Sequence, residues 1–376
     1  MGVSRTPGFE RVRLYRTLRT AHLEQALQLH PAVIVYSRRR YDFDDALAAR
    51  LDLVHAGPWR AAALLLRRGA AEIEVNEPLM RMAVRPTAVA VAAARLRGLL
   101  TGRRSRLVSY GIENLDPFPA PRNARAAVAA HLDRALTRFV WGQLDRFVYG
   151  TEAARDLYAR LLPPFADPAG HRLLPTLPQP CDCPPAPRDP RSVLFLGAFS
   201  PRKGFGLLRA AWPAVRDALP GTHLHLAGQG ALAGEAAAWA AADPTVELTP
   251  DPPRPLVHEA LRRARVLVLP SQPQPGWREQ LGLPLTEALA HGCTVVTTDE
   301  TGLAPWLRAH GHVVVPAGGT PGELAAAVVA ALRTARPAAD VLADLPARDG
   351  RLAADDWLFA PAAHEGTGTA GDLSAG

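Results

Sequence analysis

Lys203 is the single lysine of the chain: the other 42 of its 43 basic residues are arginine. Alanine, arginine, proline and glycine dominate the composition, and a bias of that kind converts any tolerant lysine to arginine. A lysine that survives it points to a position where a planar guanidinium is a poor replacement for a compact, rotatable ammonium. Lys203 lies in SPRKGF, residues 200–205, beside Arg202 and Gly204. Two neighbouring cations, followed by a glycine that lets the backbone come close, suit a diphosphate. As a bare residue type, a basic group at a helix start reads equally as a solvated surface charge. A second stretch, GWREQLGLPLTEALAHGCTVV, holds Glu279 and Glu287 with seven residues between them. Pro284 fits a first helical position and Gly292 a helix stop. Leu281, Gly282 and Leu283 therefore offer backbone N–H groups at a helix amino terminus, where an anion is favoured. Carboxylates on either side of such a seat can accept hydrogen bonds from sugar hydroxyls. Taken singly, Glu287 also reads as an exposed helix acid and Glu279 as a loop acid.

The elements that must position these residues are α/β. AVIVYS (32–37), LDLVH (51–55), AEIEV (71–75) and RLVSY (106–110) read as strands, and the intervening segments, such as 86–100, have helical composition. A proline-crowded stretch, 174–190, interrupts the rhythm and reads as a linker. Beyond it SVLFLGAF (192–199), HLHLAG (223–228), TVEL (245–248), ARVLVLPS (264–271), TVVTTD (294–299) and HVVVPA (312–317) form a second strand series. Two doubly wound parallel-sheet domains facing across a cleft follow, with the ligand at the carboxyl ends of the strands.

Within this frame the second half resembles the donor-binding domain of the retaining family 4 glycosyltransferases of the GT-B fold, across roughly residues 192–335. FLGAFSPRKG resembles the family's strand–loop–Lys–Gly element and LHLAGQG its next strand and glycine turn. ARVLVLPS resembles the strand before the signature, and Glu279-QLGLPLT-Glu287 the E-x7-E motif. The resemblance implies a glycosyltransferase of hexosyltransferase type, moving a sugar from a nucleotide-diphosphate sugar with retention of configuration. It implies that Lys203 and Arg202 hold the diphosphate, that Glu279 meets the donor sugar and that Glu287 binds the ribose. Leu281, Gly282, Leu283, Gly197 and Gly228 then line the nucleotide site. No cofactor and no metal are expected: cationic side chains and helix ends would neutralise the leaving group. Ala198 departs from the pattern, since many members carry arginine after the glycine, so a non-catalytic nucleotide-sugar-binding module is a second reading. A third is an NAD-dependent oxidoreductase, because Gly228, Gly230 and Ala233, with Glu247 on the next strand, mimic a dinucleotide fingerprint. That fingerprint usually opens its domain at the first strand, whereas here it follows the second.

The expected layout is an acceptor-side Rossmann-like domain over 1–185 and a donor domain over 190–345. Residues 346–376 would hold a helix returning towards the first domain, as GT-B helices do, and a small polar tail read as disordered. In the first domain YSRRRYDF, with Arg38, Arg39 and Arg40, stands where the family carries a glycine-rich first loop. Glu113 and Asn114 follow a strand end and either contact the acceptor or make a turn. Net charge is +7, and residues 1–190 hold 28 arginines against 18 acids. That balance admits a phosphorylated or lipid-linked acceptor or an anionic membrane. Nucleic acid is disfavoured, as no recognition motif accompanies the charge. AVAVAAARLRGLLTGRRSR (88–106) reads either as a basic helix for an anionic bilayer or as a domain helix with a solvated end. Three cysteines give no disulfide framework and suggest a reducing, cytoplasmic setting. Cys181 and Cys183 lack the usual metal-ligand spacing. No run approaches the roughly 20 apolar residues of a membrane span, and the loose myristoylation match at Gly2 and Thr6 reads as accidental.

Overall fold

A computed structural model describes residues 9–40, 43–184 and 186–361. The myristoylation match and the polar tail beyond Pro361 lie outside the described residues. The first sheet is built from β1 (Arg11–Leu18), β2 (Val33–Arg39), β3 (Leu53–His55), β4 (Glu72–Glu74), β5 (Arg106–Gly111), β6 (Arg146–Tyr149) and β7 (His171–Leu173). Its order is β3-β2-β1-β4-β5-β6-β7, every pair parallel. The second sheet comprises β8 (Ser192–Leu196), β9 (His223–Gly228), β10 (Val246–Pro250), β11 (Val266–Leu269), β12 (Thr294–Thr298) and β13 (Val313–Val315). It runs β10-β9-β8-β11-β12-β13, again all parallel.

Parallel strands are covered on both faces, which is why β8, β11 and β12 are buried at every residue and read as continuous apolar runs. Their cover includes the helices Phe205–Ala218 and Pro321–Arg333, with Trp212, Phe205, Leu208 and Val328 fully buried between the layers. In the first sheet β1 was not apparent in the sequence, and the reason is Arg13. It stands in mid-strand with its side chain buried, and its guanidinium pairs with Glu74 and, at 2.7 Å, with Asp355. A charged residue at an inward position breaks the apolar pattern from which strands are read. The loop count therefore shifts by one: residues 36–39 end the second strand, and the first loop is the short turn between β1 and the helix Thr20–Ala26.

Asp355 belongs to the helix Gly350–Phe359, whose Ala354, Leu358 and Phe359 pack on Val108 of β5 and Val148 of β6. Asp349 caps it by accepting from the N–H groups of Arg351 and Leu352. Residues 174–184 and 186–191 carry no helix or strand and join the two sheets.

Candidate functional site

The strand order of the second sheet reverses between β8 and β11, so the loops leaving their carboxyl ends diverge and open a crevice. Glycines hold these loops close. Gly228 has φ +150°, and a Cβ there would collide with the carbonyl of Gly197, which itself sits at φ +139°. Gly204, at φ +71°, turns the chain out of the 3-10 turn Pro201–Lys203, and a Cβ would run into the Pro270 carbonyl.

Lys203 therefore points from the β8 loop to the β11 loop, where its Nζ donates to Glu279 Oε2. Ser271 Oγ donates to the same oxygen at 3.1 Å. Lys203 is 7% exposed and Glu279 8%. Burial pushes the Lys203 ammonium below its usual range, and Glu279 works against that shift. Lys203 is thus an enclosed ion-pair member, not the solvated loop charge that a basic residue at a helix start suggests. Arg202 stacks on Trp277, its guanidinium carbon 4.8 Å from the ring centroid, and Lys203 Nζ lies 5.8 Å from the same ring. Trp277 escaped the sequence reading, although it stands two residues before Glu279.

The helix Leu283–Ala290 begins behind Gly282, at φ +78°, with Pro284 in its first turn. Among the described residues no hydrogen bond takes up the N–H groups of Gly282 or Leu283. Glu287, one turn in, receives a hydrogen bond from Arg254 of the helix Arg254–Arg263. The dinucleotide-like glycines have another occupation: Gly230 packs on Phe199, whose carbonyl accepts from Leu232 at 3.0 Å.

From the first domain, Asn114 reaches across the cleft and donates to the carbonyl of Glu279 at 2.8 Å. Gln280 donates to Glu113 Oε2 at 3.2 Å. Behind Glu113 is a buried carboxyl, Glu77, which accepts from the Glu113 N–H at 2.7 Å and from Tyr158 OH at 3.1 Å. Burial, and then the charge of Glu113, push Glu77 up to about 8, and burial also raises Glu113. Arg38 is exposed at the carboxyl end of β2.

The geometry bears on two further sequence expectations. Of the arginines in the 88–106 stretch, Arg95 is tied to Gln143, Ser105 and Asp145, Arg97 to the Leu66 and Arg67 carbonyls, and Arg106 to Glu72 and the Phe359 carbonyl, whereas Arg104 pairs with Asp145 but stays exposed and Arg103 is exposed. Apolar residues that face outward on that helix include Leu99, 84% exposed, and Leu100, 72%. The expectation that Cys181 and Cys183 stand too close in sequence for an easy bridge is corrected. Their sulfurs are in direct contact, and His258 and His291 converge on them. Spacing could not reveal this, because His258 and His291 lie 77 and 108 residues from Cys181 and Cys183 in sequence.

Residues 190–334 match the model of the family described as glycosyl transferases group 1. The described residues have the GT-B fold of several solved glycosyltransferase structures. It is similar to the lipopolysaccharide outer core galactosyltransferase WaaB in its apo form, at TM-score 0.62 and 11% identity, covering 89% of this chain and 93% of that one. Against Anabaena Alr3699/HepE in complex with UDP the TM-score is 0.62 at 12% identity, covering 93% and 95%. Against WaaG, a glycosyltransferase involved in lipopolysaccharide biosynthesis, it is 0.57 at 15% identity, covering 93% and 100%. No curated protein matches the chain by sequence.

Proposed function

We propose that the protein transfers a hexose from a nucleotide-diphosphate sugar to a glycan or lipid-linked acceptor, with retention at the anomeric carbon. The observation that carries this reading is the enclosed Lys203–Glu279 pair at the point where the second sheet reverses its strand order. A diphosphate entering the crevice takes the ammonium of Lys203 and the guanidinium of Arg202, and the released Glu279 carboxylate accepts from hydroxyls of the sugar. The N–H groups of Leu281, Gly282 and Leu283 receive phosphate oxygens, and Glu287 turns from Arg254 to the ribose. Gly197 and Gly228 leave the backbone bare beside the nucleotide. As the bond from the anomeric carbon to the diphosphate breaks and a bond to the acceptor oxygen forms, negative charge grows on the diphosphate. Preorganised cations and a helix end stabilise it, so the transfer step uses no metal.

HepE has been solved with UDP and with UDP-glucose, which makes a UDP-sugar the first donor to try. On the acceptor side we place Glu113 and Arg38; Asn114 acts by holding the two domains together through the Glu279 carbonyl. Leu99 and Leu100 support brief contact with the inner face of a membrane that presents a lipid-linked acceptor. Co-sedimentation with anionic vesicles that is unchanged in Leu99→Ser/Leu100→Ser would remove that part. For the central reading, isothermal titration with UDP- and GDP-sugars is followed by an assay for free nucleotide and NMR of the product. Binding with turnover and a retained anomer is expected. Binding without turnover would favour the non-catalytic module that Ala198 suggests, and an inverted anomer would overturn retention.

A further inference from the structure

We infer that Cys181, Cys183, His258 and His291 form a structural zinc site, built where the interdomain linker crosses the donor domain. The four ligand atoms lie within 4.8 Å of one another. Cys183 Sγ stands 3.4 Å from His258 Nδ1 and 3.8 Å from His291 Nε2, Cys181 Sγ 3.9 Å from His258 Nδ1, and the two imidazole nitrogens are 3.1 Å apart. A tetrahedral ion with Zn–S near 2.3 Å and Zn–N near 2.0–2.1 Å requires S···N edges of about 3.5 Å and an N···N edge of about 3.3 Å. The Cys183–His258 and histidine–histidine separations match those edges, the other two exceed them by about 0.3–0.4 Å, and the two touching sulfurs would part to take up the ion. Two thiolates and two neutral imidazoles around a divalent ion also sum to zero charge, which suits a half-buried position.

A second observation concerns the His291 tautomer. Its Nδ1 is 2.7 Å from the carbonyl of Glu287, an acceptor only, so Nδ1 carries the proton. The lone pair is thereby left on Nε2, the nitrogen that faces the sulfurs. An imidazole oriented by a backbone carbonyl on its far side is the usual support of a metal-bound histidine. A Cys181–Cys183 disulfide would account for the sulfurs but would give neither histidine a reason to converge on them.

The linker is also fastened beside the cluster by backbone and arginine contacts. Cys181 N–H donates to the Ala290 carbonyl at 2.8 Å, and Arg188 donates to the carbonyls of His291 and Ala264. The ion would therefore pin the linker to the carboxyl end of the helix whose amino end forms the anion seat. Soft thiolates with imidazoles in a tetrahedron select zinc over magnesium or calcium. The inference stands independently of the transferase reading, since no ligand of this cluster lies in the crevice.

The test uses the full chain expressed with zinc and purified under reducing conditions. Elemental analysis is expected to give about one zinc per chain, retained through gel filtration and released by a mercurial that blocks thiols. Cobalt exchanged into the site should show thiolate-to-cobalt charge-transfer absorption and the intense visible bands of a tetrahedral ion. Cys183→Ser and His258→Ala should each lower zinc content at least about tenfold. If either variant fails to fold, the cobalt spectrum of the unaltered chain still decides the matter. Metal-free protein with Cys181 and Cys183 joined, two hydrogens lighter by intact mass and closed to alkylation, would overturn the inference. So would octahedral cobalt bands.

Discussion

At the scale of single residues, Lys203 and Glu279 are mutually dependent, because each neutralises the other in a site with little water. Lys203→Met should cut turnover by roughly 100-fold to 1000-fold, as for removing one preorganised charge-stabilising donor. It should also lower the melting temperature, since a buried carboxylate then stands unpaired. Melting curves should show that Lys203→Met/Glu279→Gln recovers much of that loss without recovering turnover. Lys203→Arg keeps the charge but replaces a compact ammonium with a planar fork whose donors are placed differently, and activity assays should show most transfer gone. Glu77 gives a different test. Its carboxyl is raised from 4.5 to about 8 in the folded protein, so the folded state holds a proton there that the unfolded chain releases above about pH 4.5. Stability from this group is complete below that pH and falls as pH rises towards 8, by at most roughly 1.4 kcal/mol per unit. Urea melts across this range should find Glu77→Gln flatter than the parent, and parallel curves would refute the shift. Composition drew attention to Lys203, and the resemblance to an E-x7-E motif drew it to Glu279 and Glu287. Trp277, Glu77 and the two histidines were not legible, because each acquires its role from a partner far away in sequence.

At the scale of elements, the second sheet was readable because its strands are buried on both faces and spell continuous apolar runs. The first sheet was harder: β1 hides a buried arginine, and β6 and β7 are short. The same arginine makes the element energetically exacting. Asp355 receives Arg13 at 2.7 Å and His30 Nδ1 at 2.8 Å. Burial would raise its pKa, yet the hydrogen bond and charge of Arg13 hold it down to about 2. Its contribution is therefore present above the unfolded value near 3.8 and is lost as pH falls through 2. Asp355→Ala should destabilise the first domain by about 3–5 kcal/mol, because Arg13 loses its partner inside the fold. Denaturant melts at neutral pH measure this, and a loss under 1 kcal/mol would show that Glu74 alone suffices. Gly228→Ala belongs to the same scale: the added methyl forces β8 and β9 apart at their carboxyl ends, and nucleotide affinity should fall more than the melting temperature.

At the scale of the whole molecule, the chain passes from first sheet to second and then returns, so the first domain is completed by residues that follow the second. Removing residues 347–361 should leave the second domain folded and the first loose. Limited proteolysis followed by mass spectrometry would show cleavage concentrated before residue 174, and an intact first domain would show that the returning helix is dispensable. This return also sets a schedule for synthesis. Asp355 follows Leu173, the end of the first sheet, by 182 residues, and at a ribosome's usual pace of about 5–20 residues per second the nascent first domain waits about 9 to 36 s for its missing carboxylate. Throughout that interval Val108 and Val148 lack their cover from Leu358 and Phe359, and Arg13 has only Glu74 as a carboxylate partner. A polypeptide released early would carry that uncovered patch permanently, and chaperones and proteases would meet it as a marker of incomplete translation.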